Sequence, residues 1–417
     1  MKTVYVVDGC RSPFLKFRRK PGPFKPTDLA VATARPLLLR QPFNPNDLDE
    51  VIIGCVIQLP DEMNLARIVS YRLGCTDNVP AWTVQRNCGS GLQAIDSAYR
   101  NIKNGDANLI LAGGVDSMSH APLLIEQHMV NWLAKFMTTR SVWSKIKSIR
   151  NVRPHHFIPT PALLKGLTDP LIGLSMGQTA ELLAYDYSIT REMMDNYSVE
   201  SHQRLAYAQK HGIFDDEIVT IYDREGKVYT NDEGVRPSIT TSKLATMKPA
   251  FDHPFGNVTA GNSSQISDGA GFLLLASEEA VEQHNLSVLG IIEDIKWTAL
   301  SPERMGLGPV YATIPLMSAN KITTKDIDYW EINEAFAAQV LACLNVFENY
   351  GMKGIEHSQL NINGGGISLG HPVSASGVRI VLHLLKTLQH HQKKRGIASL
   401  CIGGGQGGAA LLKRLEQ

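Results

Sequence analysis

The chain has 417 residues, 43% of them apolar and 19% charged, with a formal net charge of +1. That length exceeds what one hydrophobic core usually spans, so two or more domains are expected, and the near-neutral charge supplies no global field to draw the protein onto nucleic acid. No run of about 18 apolar residues occurs, so no membrane-spanning helix is expected. Met1-Lys2 leads directly into a strand-like run at 3–7, so no signal peptide is expected either. The six cysteines (Cys10, Cys55, Cys75, Cys88, Cys343 and Cys401) are scattered without C-x-x-C spacing. Their scatter argues against structural zinc and a disulfide scaffold, and it suits a reducing cytoplasm.

Short apolar, strand-like runs lie at 51–56, 108–112, 271–275 and 398–402, and helical periodicity occupies 91–103, 191–211 and 377–391. Such alternation predicts an α/β fold with sheets covered by helices. The run Leu109-Ile110-Leu111-Ala112-Gly113-Gly114 is echoed by Ser399-Leu400-Cys401-Ile402-Gly403-Gly404, which hints at a duplicated unit. Residues 123–153 stand apart. They carry Lys135, Arg140, Lys145, Lys147, Arg150 and Arg153 against a single acid, Glu126. Ile125, Met129, Trp132, Leu133 and Phe136, then Val142, Ile146 and Ile149, recur at spacings of three and four, which predicts a basic amphipathic helix. Pro154, Pro159, Pro161 and Pro170 should end it in an extended connector. Such a helix can lie on an anionic membrane, bind a partner or pack on its own core.

Four segments carry chemistry. The first is Asn87-Cys88-Gly89-Ser90-Gly91. A cysteine at a strand-to-helix junction is expected to have amides aimed at its sulfur, lowering its pKa, while glycines let a bulky substrate approach. A covalent acyl thioester needs this arrangement, whereas a lone cysteine is otherwise a buried structural residue. The second is Asn333-Glu334-Ala335-Phe336-Ala337, after a strand-like run at 329–332. Its asparagine can hold a water, help to bind an oxyanion or merely cap a helix. In the third, Gly364-Gly365-Gly366-Ile367-Ser368-Leu369-Gly370-His371-Pro372, a histidine sits on a glycine-rich loop. That placement suits a base that reaches a cysteine from elsewhere in the chain. The fourth, Cys401-Ile402-Gly403-Gly404-Gly405-Gln406-Gly407-Gly408, formally matches G-x-G-x-x-G. It leaves no room for the βαβ unit of a dinucleotide site, but oxyanion binding by its amides stays open.

Together these four motifs resemble the thiolase family, over nearly the whole chain. The resemblance implies a duplicated αβαβα layered α/β fold with an inserted loop domain. It implies an N-terminal domain over 1–278, with the insertion at about 118–258, and a C-terminal domain over 279–417. It assigns Cys88 as the acyl acceptor, His371 as the base that activates it, Cys401 as the proton donor and acceptor for the carbanion, and Asn333 as the holder of an oxyanion-site water. Met176-Gly177-Gln178-Thr179-Ala180-Glu181 and Gly261-Asn262-Ser263-Ser264 also fit. They imply Ser264 on the pantetheine arm of coenzyme A, with Met176 and Phe336 lining the acyl pocket. Coenzyme A would be a co-substrate, with no metal and no permanently bound cofactor.

Two positions depart from the common pattern: Ser374, where many members have glycine, and Ser175, where many have histidine. The insertion at 123–174, with Gly234-Val235-Arg236-Pro237-Ser238 and residues 307–313, is similar to β-subunits of the fatty-acid-oxidation complex. Those use this region for membrane or partner contact, and they often have histidine where Asn333 stands. The implied activity is ping-pong cleavage of 3-oxoacyl-CoA in β-oxidation, by a homodimer or dimer of dimers. It would act in the cytoplasm or at the inner membrane surface, with an α-subunit as a further partner. Rival readings are a biosynthetic acetoacetyl-CoA thiolase, a ketosynthase or hydroxymethylglutaryl-CoA synthase, and a non-catalytic lipid-binding scaffold. Cys401 in its glycine-rich setting speaks against the synthases, and the set Cys88, Asn333, His371 and Cys401 speaks against the scaffold.

Overall fold

The computed structural model describes residues 2–150, 152–153, 157–352 and 355–415, so Pro154 lies outside the described residues. Met1–His120 with Asp169–Gln417 form one compact unit and Ala121–Thr168 a second. No helix among the described residues is long and apolar enough to cross a membrane.

The strands of the larger unit are β1 (Tyr5–Arg11), β2 (Glu50–Gly54), β3 (Ala81–Val84), β4 (Leu109–Ser117), β5 (Ser267–Ala276), β6 (Gly290–Ala299), β7 (Tyr329–Ile332), β8 (Arg395–Ile402) and β9 (Gln406–Lys413). They lie in the order β7-β8-β9-β6-β1-β5-β4-β2-β3, and a two-residue strand, Leu15–Lys16, adds to β5. The principal helices are α1 (Pro26–Leu39), α2 (Leu65–Leu73), α3 (Ser90–Asn104), α4 (Gln127–Thr138), α5 (Val142–Ile149), α6 (Met176–Asp186), α7 (Arg191–Lys210), α8 (Gly308–Ala319), α9 (Ala337–Asn349) and α10 (Val373–His390).

The plan is built twice. In the first half β2 runs parallel to β4, β4 antiparallel to β5, and β5 antiparallel to β1. In the second half β7 runs parallel to β8, β8 antiparallel to β9, and β9 antiparallel to β6. The halves meet where Tyr5 and Val6 pair with Ile291 and Gly290. The echoed sequences at 109–114 and 399–404 fall on or just after β4 and β8, which occupy equivalent places.

Side-chain alternation sorts the strands between helix layers. In β4, Leu109, Leu111 and Val115 join the core under α1 and α2, while Ile110 and Ala112 join the core around α3 and α10. In β8, Ile397 and Cys401 join the core with α8 and α9, while Ala398, Leu400 and Ile402 join the α3–α10 core. Strands covered on both faces read as continuous apolar runs, which is why they were visible in sequence. The layers are therefore α1/α2, half-sheet, α3/α10, half-sheet and α8/α9.

The central helices cross at very close range near their starts. A Cβ on Gly91 would lie 2.1 Å from the Ser374 carbonyl oxygen, and one on Gly114 also 2.1 Å from it. A Cβ on Gly377 would lie 2.6 Å from the Leu92 amide nitrogen. Gly91→Ala must push backbone against backbone, so it is expected to lower unfolding stability by about 2–3 kcal/mol. An unchanged urea midpoint would contradict that contact.

The smaller unit corrects one expectation. Residues 123–153 form two helices, α4 and α5, rather than one. The break has a local cause. The hydroxyls of Thr138 and Thr139 bond back to the Ala134 and Lys135 carbonyls, and Ser141 caps α5 by accepting from the Ser144 amide. The Trp132 indole N–H donates to the Ser148 carbonyl oxygen at 3.0 Å, and its ring stacks on Phe136 at 5.1 Å. Lys145 lies over the Phe136 ring, and the strand pair Leu123–Leu124 with Thr160–Pro161 closes the base. The connector is not extended as far as Pro170, because a helical turn forms at Ala162–Gly166.

Candidate active site

Cys88 precedes α3 in a tight turn. Asn87 is left-handed, with φ of +44°, and the Ser90 hydroxyl donates to the Asn87 carbonyl at 2.7 Å while accepting from the Arg86 amide at 2.8 Å. Cys88 is half-buried, whereas the other five cysteines are buried. The Gly403 amide reaches its sulfur, and the Asn87 side-chain N–H2 donates to the Gly403 carbonyl at 2.9 Å, tying the two loops together. The expected fall in the Cys88 pKa does not occur. Burial pushes the thiol up to about 11, and the amides of Gly403 and Cys88 itself offset this only in part. Desolvation of the thiolate outweighs two amide dipoles, so Cys88 rests as a thiol at neutral pH and needs a base.

Cys401 closes β8. The glycines after it, Gly404 (φ +90°) and Gly405 (φ +75°), turn the chain directly into β9, with Ile402 paired to Gln406. A hairpin rather than a strand–helix unit follows the motif, which removes the dinucleotide reading on structural grounds. Burial raises the Cys401 thiol well above its ordinary range, and a charge on Cys88 raises it further, so the two sulfurs sense one another. Met176, the first residue of α6, packs against the same loop, since a Cβ on Gly403 would sit 3.0 Å from its sulfur. Its neighbour Ser175 caps α6 reciprocally with Gln178, which gives that position a structural use for serine.

His371 precedes α10 as Cys88 precedes α3. The duplication, together with the Gly91–Ser374 contact, sets the two residues at adjoining helix starts. The Gly370 backbone has φ of +112°, and the His371 amide donates to the Gln265 carbonyl at 3.0 Å. His371 Nδ1 lies 2.5 Å from the Ser376 hydroxyl, and its buried Nε2 has no hydrogen-bond partner among the described residues. Burial, then the charge of Arg379, lowers its pKa to about 4. The Ser374 amide donates to buried Asp116 at 2.7 Å. Asp116 also accepts from the Val56 and Ile57 amides at 3.0 and 2.7 Å, and so anchors the start of α10 to the loop after β2.

Asn333 does not cap a helix. It extends the β7–β8 pairing through its amide to the Ser399 carbonyl at 2.9 Å, and α9 begins only at Ala337 with Phe336 as its cap. Both side-chain amide atoms are buried and bond to nothing among the described residues. The Ser264 amide donates to the Ala335 carbonyl at 2.9 Å, and Phe336 packs edge-to-face on Phe251 at 6.0 Å. These contacts fall into local groups. Cys88, Cys401 and Met176 gather around Gly403; Ser264, Phe336 and Asn333 lie along 333–336; and His371 follows through Gln265.

Sequence reasoning missed three buried polar residues that hold this arrangement: Asp116, Ser376 and Glu334. Glu334 accepts from Tyr197 at 2.9 Å, Ser201 at 2.7 Å, Asn361 at 3.2 Å and the Ile367 amide at 3.2 Å, and burial raises its pKa. The available signal was a carboxylate beside a buried strand, as in Glu334 after β7 and Asp116 within β4.

The fold and site define a layered, duplicated α/β protein with a cysteine and a histidine at the starts of its two central helices. Residues 4–279 match the family model described as thiolase, N-terminal domain, and residues 286–414 match thiolase, C-terminal domain. The chain belongs to the thiolase family and is an acyltransferase. It is 38% identical over 393 residues, 93% of each chain, to a probable acetyl-CoA acyltransferase of Staphylococcus aureus. The acetyl-CoA acetyltransferase of Bacillus anthracis superposes with a TM-score of 0.89 at 36% identity, covering 100% of this chain and 99% of that one. Human mitochondrial 3-ketoacyl-CoA thiolase in complex with CoA superposes with a TM-score of 0.87 at 35% identity, covering 100% and 98%.

Proposed function

We propose that the chain is a 3-oxoacyl-CoA thiolase that transfers acyl groups to coenzyme A through a Cys88 thioester, in fatty-acid β-oxidation. One observation carries this reading. Cys88 is partly exposed just before α3, whose start meets the start of α10 at the Gly91–Ser374 contact, and in the same unit His371 Nε2 and both Asn333 amide atoms are buried and bond to nothing among the described residues. Buried polar groups are ordinarily satisfied, so such a set suits a reacting substrate. In the degradative direction His371 Nε2 takes the Cys88 proton, and the thiolate attacks the 3-oxo carbon. The bond between the second and third acyl carbons breaks, and its electron pair leaves as the acetyl-CoA enolate, which the Cys401 thiol protonates. Asn333, through a water, and His371 hold the enolate oxygen. Coenzyme A then attacks the acyl-Cys88 carbonyl with the proton transfers reversed. Ser264 holds the pantetheine arm, and Met176 and Phe336 face the acyl chain. Coenzyme A is a substrate, and no resident metal or cofactor is invoked.

The base must be neutral to work. With the His371 pKa near 4, acylation of Cys88 is expected to stay flat as pH falls to about 5 and to drop below that. A limb near the ordinary imidazole value of about 6.5 would contradict this.

The decisive assay follows loss of the magnesium-enolate absorbance of acetoacetyl-CoA on adding coenzyme A, repeated over longer 3-oxoacyl-CoA substrates. Turnover of longer chains is the expected result. Turnover of acetoacetyl-CoA alone favours the biosynthetic reading, which the likeness to an acetyl-CoA acetyltransferase supports. Turnover of none would leave the scaffold.

The proposal extends to the assembly: domains over 1–278 and 279–417, a homodimer or dimer of dimers, cytoplasmic location and an α-subunit partner. The α4–α5 hairpin supports peripheral membrane contact. Trp143, Val142 and Ile146 are exposed there beside Lys135, Arg140, Lys147 and Arg150. Flotation on anionic liposomes should be lost when 123–153 is deleted; equal flotation would remove that role.

A further inference from the structure

We propose that Ser376 is a positioning residue that locks His371 in the Nδ1–H tautomer and so keeps Nε2 as the basic nitrogen. This rests on the reading of His371 as the base. The Ser376 oxygen lies 2.5 Å from His371 Nδ1 and 3.1 Å from the Pro372 carbonyl oxygen. A hydroxyl has one hydrogen, and a carbonyl can only accept. With Nδ1 protonated, the hydroxyl passes its one hydrogen to the Pro372 carbonyl, which also accepts from the Ala375 and Ser376 amides, and its lone pair is filled by Nδ1–H. The opposite tautomer would place the ring proton on Nε2, a buried atom with no acceptor among the described residues. Orphaned buried donors are the rarer defect, so the first arrangement wins.

The backbone makes this lock rigid. His371 directly precedes α10, Pro372 is its N-terminal cap residue and Ser376 lies in its first turn, the His371 amide is held by Gln265, and Pro372 fixes its own φ. A neutral hydroxyl also differs in kind from a carboxylate partner. A carboxylate would favour a standing imidazolium beside Cys88, whereas the hydroxyl leaves imidazole and thiol both neutral until the proton moves. The imidazolium that then forms donates through Nδ1–H to an oxygen already polarised by its own bond to Pro372. The charged side chain that bears on the ring, Arg379, works in the same direction by disfavouring a resting positive charge.

The test is ¹⁵N nuclear magnetic resonance of histidine-labelled protein, with His371 assigned by its absence in a His371→Asn variant. The expected result is a protonated Nδ1 and an unprotonated Nε2, mixing of the two tautomers in Ser376→Ala, and restoration in Ser376→Thr. Iodoacetamide labelling of Cys88 and kcat should fall about tenfold or more in Ser376→Ala, with KM for coenzyme A within about twofold. A wild-type His371 protonated on Nε2 would overturn the proposal even if Ser376→Ala failed to fold. So would a folded Ser376→Ala with unchanged tautomer and kcat. The tautomer can be read whether or not any 3-oxoacyl-CoA is turned over, so failure of the functional reading is separately visible.

Discussion

Cys88→Ala is expected to abolish covalent acylation by labelled acyl-CoA and to lower turnover by at least about 10⁴-fold. No other cysteine can stand in. Cys10, Cys55, Cys75, Cys343 and Cys401 are buried, whereas Cys88 is partly exposed. Cys401, which senses Cys88, sits on the face of β8 that packs toward α8 and α9. The substitution removes one sulfur from a half-buried position in a turn held by Ser90, Arg86 and Asn87 backbone contacts, so the fold should survive. An unchanged circular dichroism spectrum with no label retained is the predicted pair of results. Label that persists in a folded Cys88→Ala protein would sink the nucleophile assignment, and with it the thioester mechanism.

The same residue marks where sequence reading reaches its limit. Its neighbours Gly89 and Gly91 were legible as permissive positions, and Gly91 is the one that backbone packing requires. A Cβ on Gly89 would strike Ile402 at 2.6 Å, and Gly91 meets Ser374. Local chemistry suggested a lowered pKa, because helix-start amides are visible in a motif. What decides the direction is desolvation, which the motif does not show; the Gly403 amide, from a distant part of the chain, acts the other way. Asn333 shows the same limit in another form: the motif was legible, but whether Asn333 or Phe336 caps the helix depends on how far β7–β8 pairing extends. Ser376, Asp116 and Glu334 carried no local signal strong enough to find them, since their importance comes from burial and from partners on other elements. The alternation of apolar runs located β2, β4, β5 and β8, whose two faces are both covered. It did not pick out β3, an edge strand left half-buried, or β6, which is only partly buried over most of its length. At 123–153 the periodicity held across the break, because a helical hairpin keeps the three-and-four spacing within each arm and the capping hydroxyls of Thr139 and Ser141 interrupt only the backbone.

Cys401→Ser should separate the two halves of the reaction. Exchange of the acetyl-CoA methyl protons with solvent is expected to fall by about 10³-fold or more, while acylation of Cys88 stays within about tenfold of the native rate. The reason is acidity rather than shape. Serine is nearly isosteric with cysteine, so the β8 end, its pairing to Gly407 and the glycine turn beyond it should remain in place. A buried thiol already resists ionisation here, because desolvation and the neighbouring Cys88 both oppose a second charge. It therefore rests protonated, as a donor to a nascent enolate must. A hydroxyl at the same point is a far weaker acid, and the buried alkoxide that donation leaves behind would be far harder to form. Acylation needs only the pair of Cys88 and His371, held at adjoining helix starts by the Gly91–Ser374 and Ser374–Asp116 contacts, none of which involves Cys401. Equal loss of exchange and acylation would mean that Cys401 supports Cys88 structurally, and the enolate would then need a different acid, for which His371 after its first proton transfer is the group in place.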